Sequence, residues 1–157
     1  EYGNEFTVAT VGTIKVTPHS VNVIPGTCTF SLEIRDQSAE VMKLIENHLR
    51  QLLEDICKKY GVTSTFVPTS YHDPAPMSEL VRGTIEEAVK ELGIDYTIIP
   101  SGAFHDSLIM TSVFPTGMIF VPSKDGISHS RYEYTAPEDI ENGCNVLLNT
   151  VLKLDEK

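Results

Sequence analysis

Between residues 39 and 60 apolar side chains return at three- and four-residue steps, at Val41, Leu44, Ile45, His48 or Leu49, Leu52, Ile56 and Tyr60. That spacing predicts one amphipathic helix of about six turns. Asp36 or Ser38 can cap its start, and Gly61 stands where a left-handed C-terminal residue is wanted. What surrounds it reads as strand. Residues 6–16 are rich in Val, Thr and Ile with partial alternation, and residues 28–34 alternate more cleanly, so both are expected to pair antiparallel in a half-covered sheet. The Pro25-Gly26 pair between them is a turn signal. Residues 62–67 read as a further strand. Strand, strand, long helix, strand is three quarters of a split β-α-β-β-α-β, ferredoxin-like sandwich whose opening strand and helix are absent.

Three prolines and no periodicity mark residues 68–76 as a crossing, which divides the chain into units 1–70 and 71–157. In the second unit, residues 78–92 predict a helix closed by Gly93, residues 96–99 a short apolar strand, residues 107–111 a short helix and residues 117–121 another strand. Thr135-Ala-Pro-Glu138 has capping-box form and opens a final helix, with Ile140, Cys144, Leu147, Leu148 and Val151 expected to face inward. Apolar strands alternating with helices indicate an α/β unit with a mostly parallel sheet.

Charge excludes some functions. With 12 Lys+Arg against 22 Asp+Glu, the net charge of −10 repels a phosphate backbone or an anionic membrane. No stretch approaches the roughly 20 apolar residues of a membrane span, and the expected location is cytoplasmic. Cys28, Cys57 and Cys144 each sit inside an apolar segment, which suits small buried hydrophobes better than a disulfide framework. The first residue is Glu1, not Met, and leads almost directly into a strand, so the chain is expected to be a fragment.

Five histidines could carry chemistry, and their settings separate them. His48 lies on the helix stripe, His72 among prolines and His19 in the turn region; packing or solvation accounts for each. His105 and His129 stand in Gly/Ser-rich segments flanking apolar runs, beyond the ends of predicted strands, where open sheets bind ligands. Either could serve as metal ligand or oxyanion donor, or tie its loop by hydrogen bonds. Glu133 follows His129 as a possible orienting partner for its imidazole.

Five runs taken in order make a more specific pattern: Asn22-Val-Ile-Pro-Gly26, Leu32-Glu-Ile-Arg-Asp36, Ser101-Gly-Ala-Phe-His-Asp106, Phe120-Val-Pro-Ser123 and Gly126-Ile-Ser-His-Ser130. Together they resemble the C-terminal part of N-carbamoyl-L-amino acid hydrolases and allantoate amidohydrolases, two-metal amidohydrolases related to aminoacylases and zinc exopeptidases. The resemblance runs from about Val8 to Leu154. It implies a partial small dimerisation domain followed by the C-terminal part of a zinc-exopeptidase-like catalytic domain. Its His-Asp form is similar to that of the ureido-cleaving branch. Phe104, Ser107 and Arg131 depart from the glycine, alanine and proline common at those places.

By that resemblance, His129 is a metal ligand. His105 polarises the substrate or stabilises the oxyanion, with Asp106 orienting it, and Ser101 and Gly102 line the substrate site. Arg35 and Asn22 hold the substrate carboxylate. The implied parent uses two divalent ions (Zn, Mn, Co or Ni), acts on a small ureido or N-acyl amino acid and forms a homodimer. The remaining metal ligands and the general base are expected upstream, so this chain alone is expected to be inactive. An N-acyl amino acid deacylase or dipeptidase, and a non-catalytic dimerisation module, are the alternatives.

Overall fold

A computed structural model describes residues 3–156 as a mixed α/β chain in two units that divide between Pro74 and Ala75. The first unit holds β1 (Val8–Thr10), β2 (Ile14–Thr17), β3 (Thr27–Phe30), β4 (Glu33–Arg35) and α1 (Ala39–Tyr60). Each long strand expected from the sequence is thus broken once. β1 pairs antiparallel with β4, Val8 opposite Arg35, and β2 with β3, Ile14 opposite Phe30.

The break has a purpose legible in the registers. Three residues, Val11, Gly12 and Thr13, separate the two ladders on one side, but only Ser31 and Leu32 on the other. Ser31 remains paired with Thr13: its N–H donates to the Thr13 carbonyl at 3.1 Å and its Oγ accepts from the Thr13 N–H at 3.0 Å. Val11 and Gly12 therefore both oppose Leu32, a one-residue bulge. Side chains alternate across a strand, so the extra residue moves everything after it to the opposite face. With the bulge, Ala9, Ile14, Val16, Cys28, Phe30, Leu32 and Ile34 share one face. Val8, Thr10, Thr13, Lys15, Thr17, Thr27, Thr29, Ser31, Glu33 and Arg35 share the other. Without it Ile14 and Val16 would lie among the threonines, which is why the alternation in the sequence is only partial.

Asp36 joins this ribbon to α1. Its carboxylate accepts from the Thr7 hydroxyl, from Asn4 Nδ2 at 3.4 Å and from the Ser38 N–H at 2.8 Å. Ser38 in turn caps α1, its Oγ accepting from the Val41 N–H at 3.3 Å. Gly61 closes the helix at φ 66°. The Thr7 hydroxyl first, and the Ser38 and Asn4 donors after it, hold the Asp36 carboxyl below its ordinary value.

Residues 62–67 belong to no ladder, so the split ferredoxin-like arrangement is not formed among the described residues. A strand exists only through the neighbour it bonds to. Here Phe66 instead lies under the Arg50 guanidinium, 3.7 Å from its ring centre, and Arg50 is gripped by Glu46 through Nε and Nη2 at 2.8 and 2.6 Å. On α1 itself Met42, Ile45, Leu49, Leu53 and Cys57 are half-buried, whereas Leu44, Leu52, Ile56 and Tyr60 are exposed.

The second unit is built on α2 (Glu79–Leu92) packed against α4 (Pro137–Asp155), with the short α3 (Asp106–Met110) between them in sequence. Thr84, Ala88 and Val89 of α2 and Val146 and Thr150 of α4 are its buried residues. Both threonines satisfy their hydroxyls on carbonyls one turn back, Thr84 on Leu80 at 2.8 Å and Thr150 on Val146 at 2.7 Å. Residues 117–121 run across both helices: a Cβ at Gly117 would come within 2.6 Å of Val81 Cγ1, and one at Gly143 within 2.6 Å of Val121 Cγ1.

Four expectations fail here. Residues 96–99 and 117–121 join no ladder, and every pairing among the described residues is antiparallel, so no parallel sheet is present. Tyr96 instead fixes its segment to α2 by donating to Glu86 at 2.5 Å. The final helix has Ala136 as N-cap without a side-chain bond; Pro137 in the first turn starts it, not a Thr135 capping box. Ile140, Cys144, Leu147, Leu148 and Val151 are exposed, because α4 meets α2 through its smaller residues and leaves the larger apolar ones outward. Cys28 is exposed too and Cys57 half-buried, so the thiols are free but not core. Among the described residues no helix is long and apolar enough to cross a membrane.

Deleting Gly12 should remove the bulge, turn Ile14 and Val16 to the polar face and abolish cooperative unfolding of the first unit, checked by urea titration followed by circular dichroism. Asp36→Asn should cost about 1 kcal/mol, the worth of hydrogen bonds to a charged group reduced for its partial exposure. Because the folded carboxyl ionises below its unfolded value of 3.8, that difference is complete above about pH 5 and shrinks as pH falls through the folded value. Unfolding midpoints of both proteins across that range test it.

Candidate active site

His105 is the N-cap of α3, in extended conformation (φ −124°, ψ 151°), and its side chain makes no capping bond to the helix. Ser101, one turn upstream, holds the ring: Ser101 Oγ lies 2.8 Å from His105 Nε2. The same Oγ accepts from the Ala103 N–H at 3.3 Å, so the intervening Gly102-Ala103 turn and the imidazole share one anchor. Phe120 meets the ring edge-on, 5.6 Å between centres and 60° between planes. His105 and Ser101 are half-buried.

Asp106, expected to orient His105, is exposed in the first turn of α3 and has no side-chain hydrogen bond among the described residues. The ring's partner is Ser101. The departures from the motif also find places. Phe104 is 57% exposed and so does not fill the motif. Ser107 ties α3 to Met118, its Oγ 2.9 Å from the sulfur.

His129 tops a loop closed at its base by the Lys124 N–H donating to the Tyr134 carbonyl at 2.8 Å. The ascending side turns through a 3-10 helix at Lys124–Gly126, in which Asp125 and Gly126 are left-handed, and Ser123 Oγ donates to the Ile127 carbonyl at 2.6 Å. His129 is itself left-handed, at φ 54°. Glu133 secures it, but through the backbone: the His129 N–H donates to Glu133 Oε2 at 2.8 Å. The imidazole is not the group that Glu133 holds.

In the first unit, Arg35 projects from the polar face of β4 and pairs with Glu33 at 2.8 Å. Asn22 is exposed in the β2–β3 connection, its Oδ1 accepting from Ser20 Oγ at 2.9 Å. A cavity of about 350 Å³ is lined by Pro76, Ser78 and residues 111–116, and one of about 240 Å³ by Pro122, Ser123, Lys124, Tyr134, Ala136 and Asp139. Neither is lined by a candidate catalytic, substrate-binding or metal-ligating residue, although the smaller takes in Pro122 and Ser123 of the fourth sequence run and lies at the base of the His129 loop. No three His, Cys, Asp or Glu side chains gather among the described residues to hold a metal ion. The described residues by themselves do not make a metal centre.

Phe120 was not recognisable as a neighbour of His105, because the contact depends on how residues 117–121 cross the helices. Ser101 could have been: a hydroxyl four residues before a histidine at a helix start is within reach of its ring.

Residues 4–153 match Peptidase family M20/M25/M40. The chain belongs to that family. Among curated M20 relatives, it is 40% identical over 148 residues to an N-carbamoyl-L-amino acid amidohydrolase of Geobacillus stearothermophilus, covering 94% of this chain and 36% of the relative. It is 34% identical over 145 residues to an allantoate amidohydrolase of Bacillus subtilis, covering 92% and 35%. A crystal structure of a hydantoinase/carbamoylase family amidase from Burkholderia multivorans superposes with a TM-score of 0.87 at 36% identity, covering 96% of this chain and 37% of that one. The chain thus spans about a third of the length of the M20 relatives it matches.

Replacing Glu133 by alanine should release the His129 N–H and accelerate its hydrogen exchange about tenfold, the loss of roughly one charge-assisted bond. Glu133→Gln, which retains an acceptor, should restore most of the protection.

Proposed function

We propose that a polypeptide carrying this chain hydrolyses the carbamoyl C–N bond of N-carbamoyl-L-amino acids or related ureido acids. The observation that carries this reading is the extended likeness to amidohydrolases named for such substrates, over a segment in which the His-Asp motif has its imidazole anchored and ready to donate. Cleaving a ureido carbonyl places negative charge on its oxygen as water adds. A fixed donor aimed at that oxygen lowers the barrier without reorganising. His105 is that donor. Ser101 and Gly102 line its approach, and Asp106 flanks it.

Arg35 and Asn22 hold the substrate carboxylate, for which a guanidinium fork is well shaped. Arg35 then exchanges its exposed Glu33 partner for the substrate. His129 supplies one imidazole to a pair of divalent ions, Zn, Mn, Co or Ni, whose chemistry when bound is to activate water. With a single ligand, the 157 residues alone are inactive. The first unit serves dimerisation and closure in a cytoplasmic homodimer.

Ammonia release from N-carbamoyl amino acids by the full-length polypeptide tests the reading. His105→Ala should lower kcat by about a hundred- to a thousandfold, the range for removing one oxyanion donor. Arg35→Lys should mainly raise KM, since an ammonium cannot reproduce the bidentate fork. Full activity after exhaustive chelation would remove the metal from the scheme, and faster release of acetate from N-acetyl amino acids would shift the assignment to a deacylase.

A further inference from the structure

Three features converge on one ring nitrogen of His105. Ser101 Oγ occupies Nε2 at 2.8 Å. Nδ1 makes no capping bond to α3, although His105 is the N-cap of that helix. Phe120 packs edge-on against the ring at 5.6 Å, and a half-turn of the ring would put Cε1 where Nε2 now meets Ser101 and forfeit that bond. We infer that Ser101 is a positioning residue, which donates its hydroxyl proton to Nε2 and so fixes His105 as the Nδ1–H tautomer.

The inference rests on the oxyanion role proposed for His105. A hydroxyl has one proton and two lone pairs. The Ala103 N–H takes one lone pair of Ser101, which leaves two arrangements for the contact with the imidazole. Nε2 either donates to the hydroxyl or accepts from it. A neutral imidazole carries a single N–H, and an oxyanion can be stabilised only by a donor. With Nε2 engaged by Ser101, that donor is Nδ1, so Nε2 accepts. Serine at position 101 therefore selects which face of the imidazole works: the reacting carbonyl approaches on the Nδ1 side, close to the backbone of residue 105.

The experiment uses the full-length polypeptide with 15N-labelled histidine, the His105 signals being assigned by their loss in His105→Gln. In the unsubstituted protein Nδ1 should resonate as a protonated nitrogen and Nε2 as an unprotonated acceptor. Ser101→Ala should shift both towards a tautomer mixture and lower kcat about five- to tenfold with KM unchanged, consistent with the loss of one neutral hydrogen bond. Ser101→Thr, which keeps the hydroxyl, should restore both. A protonated Nε2 in the unsubstituted protein overturns the inference even if Ser101→Ala fails to fold, as does an unchanged kcat in Ser101→Ala. The underlying reading fails separately: if His105→Gln retains kcat, the oxyanion role falls and the tautomer assignment with it. If His105→Gln loses activity while Ser101→Ala does not, only the role of Ser101 falls.

Discussion

Close approach of α2 and α4 through side chains no larger than valine governs where both histidine segments of the second unit can go. Thr84, Ala88 and Val89 meet Val146 and Thr150, and the threonine hydroxyls are consumed within their own helices, so the contact carries no unsatisfied polar group. The surface made by the two helices is close enough for residues 117–121 to cross both, provided that positions 117 and 143 have no side chain. That crossing brings Phe120 to His105 and delivers the chain to the loop that carries His129. Bulk at Gly117 would press on Val81 and Ile85 of α2, and bulk at Gly143 on Val121, the residue after Phe120.

The first unit solves a different problem. Two-stranded ribbons are marginal by themselves and need a helix or further strands against their apolar face. The bulge at Val11 and Gly12 gathers the paired apolar residues other than Val8 onto a single face, and Asp36 connects the last strand to the cap of α1. Arg35 consequently sits on the polar face, where a guanidinium keeps its hydration and can change partners cheaply.

Legibility in the sequence followed the range of the interaction. The limits of α1 were readable because Ser38 and Gly61 act on the turn beside them. The two anchors of the histidine segments, Ser101 and Glu133, likewise lie four residues from what they hold. The antiparallel pairing of residues 6–16 with 28–34 was readable, but further ladders were not, since residues 62–67, 96–99 and 117–121 have strand composition but find no bonding neighbour among the described residues. Periodicity also misplaced the covered side of α4. It reveals which residues share a face, and Ile140, Leu147 and Leu148 do; it cannot reveal whether a neighbour covers that face. Glu133 shows the remaining gap, because spacing put it near His129 without distinguishing imidazole from backbone.

His129 occupies left-handed backbone, which costs a residue with a Cβ roughly 1–2 kcal/mol relative to its ordinary conformations. Judged on folding alone, the position calls for glycine, and the Glu133 carboxylate offsets only part of the cost. Selection for stability alone would disfavour a histidine here, as it would the left-handed Asp125 in the same loop. On the metal-ligand role proposed for His129, its presence trades robustness for chemistry and makes the tip of this loop the place where improvements in stability and in function pull in opposite directions.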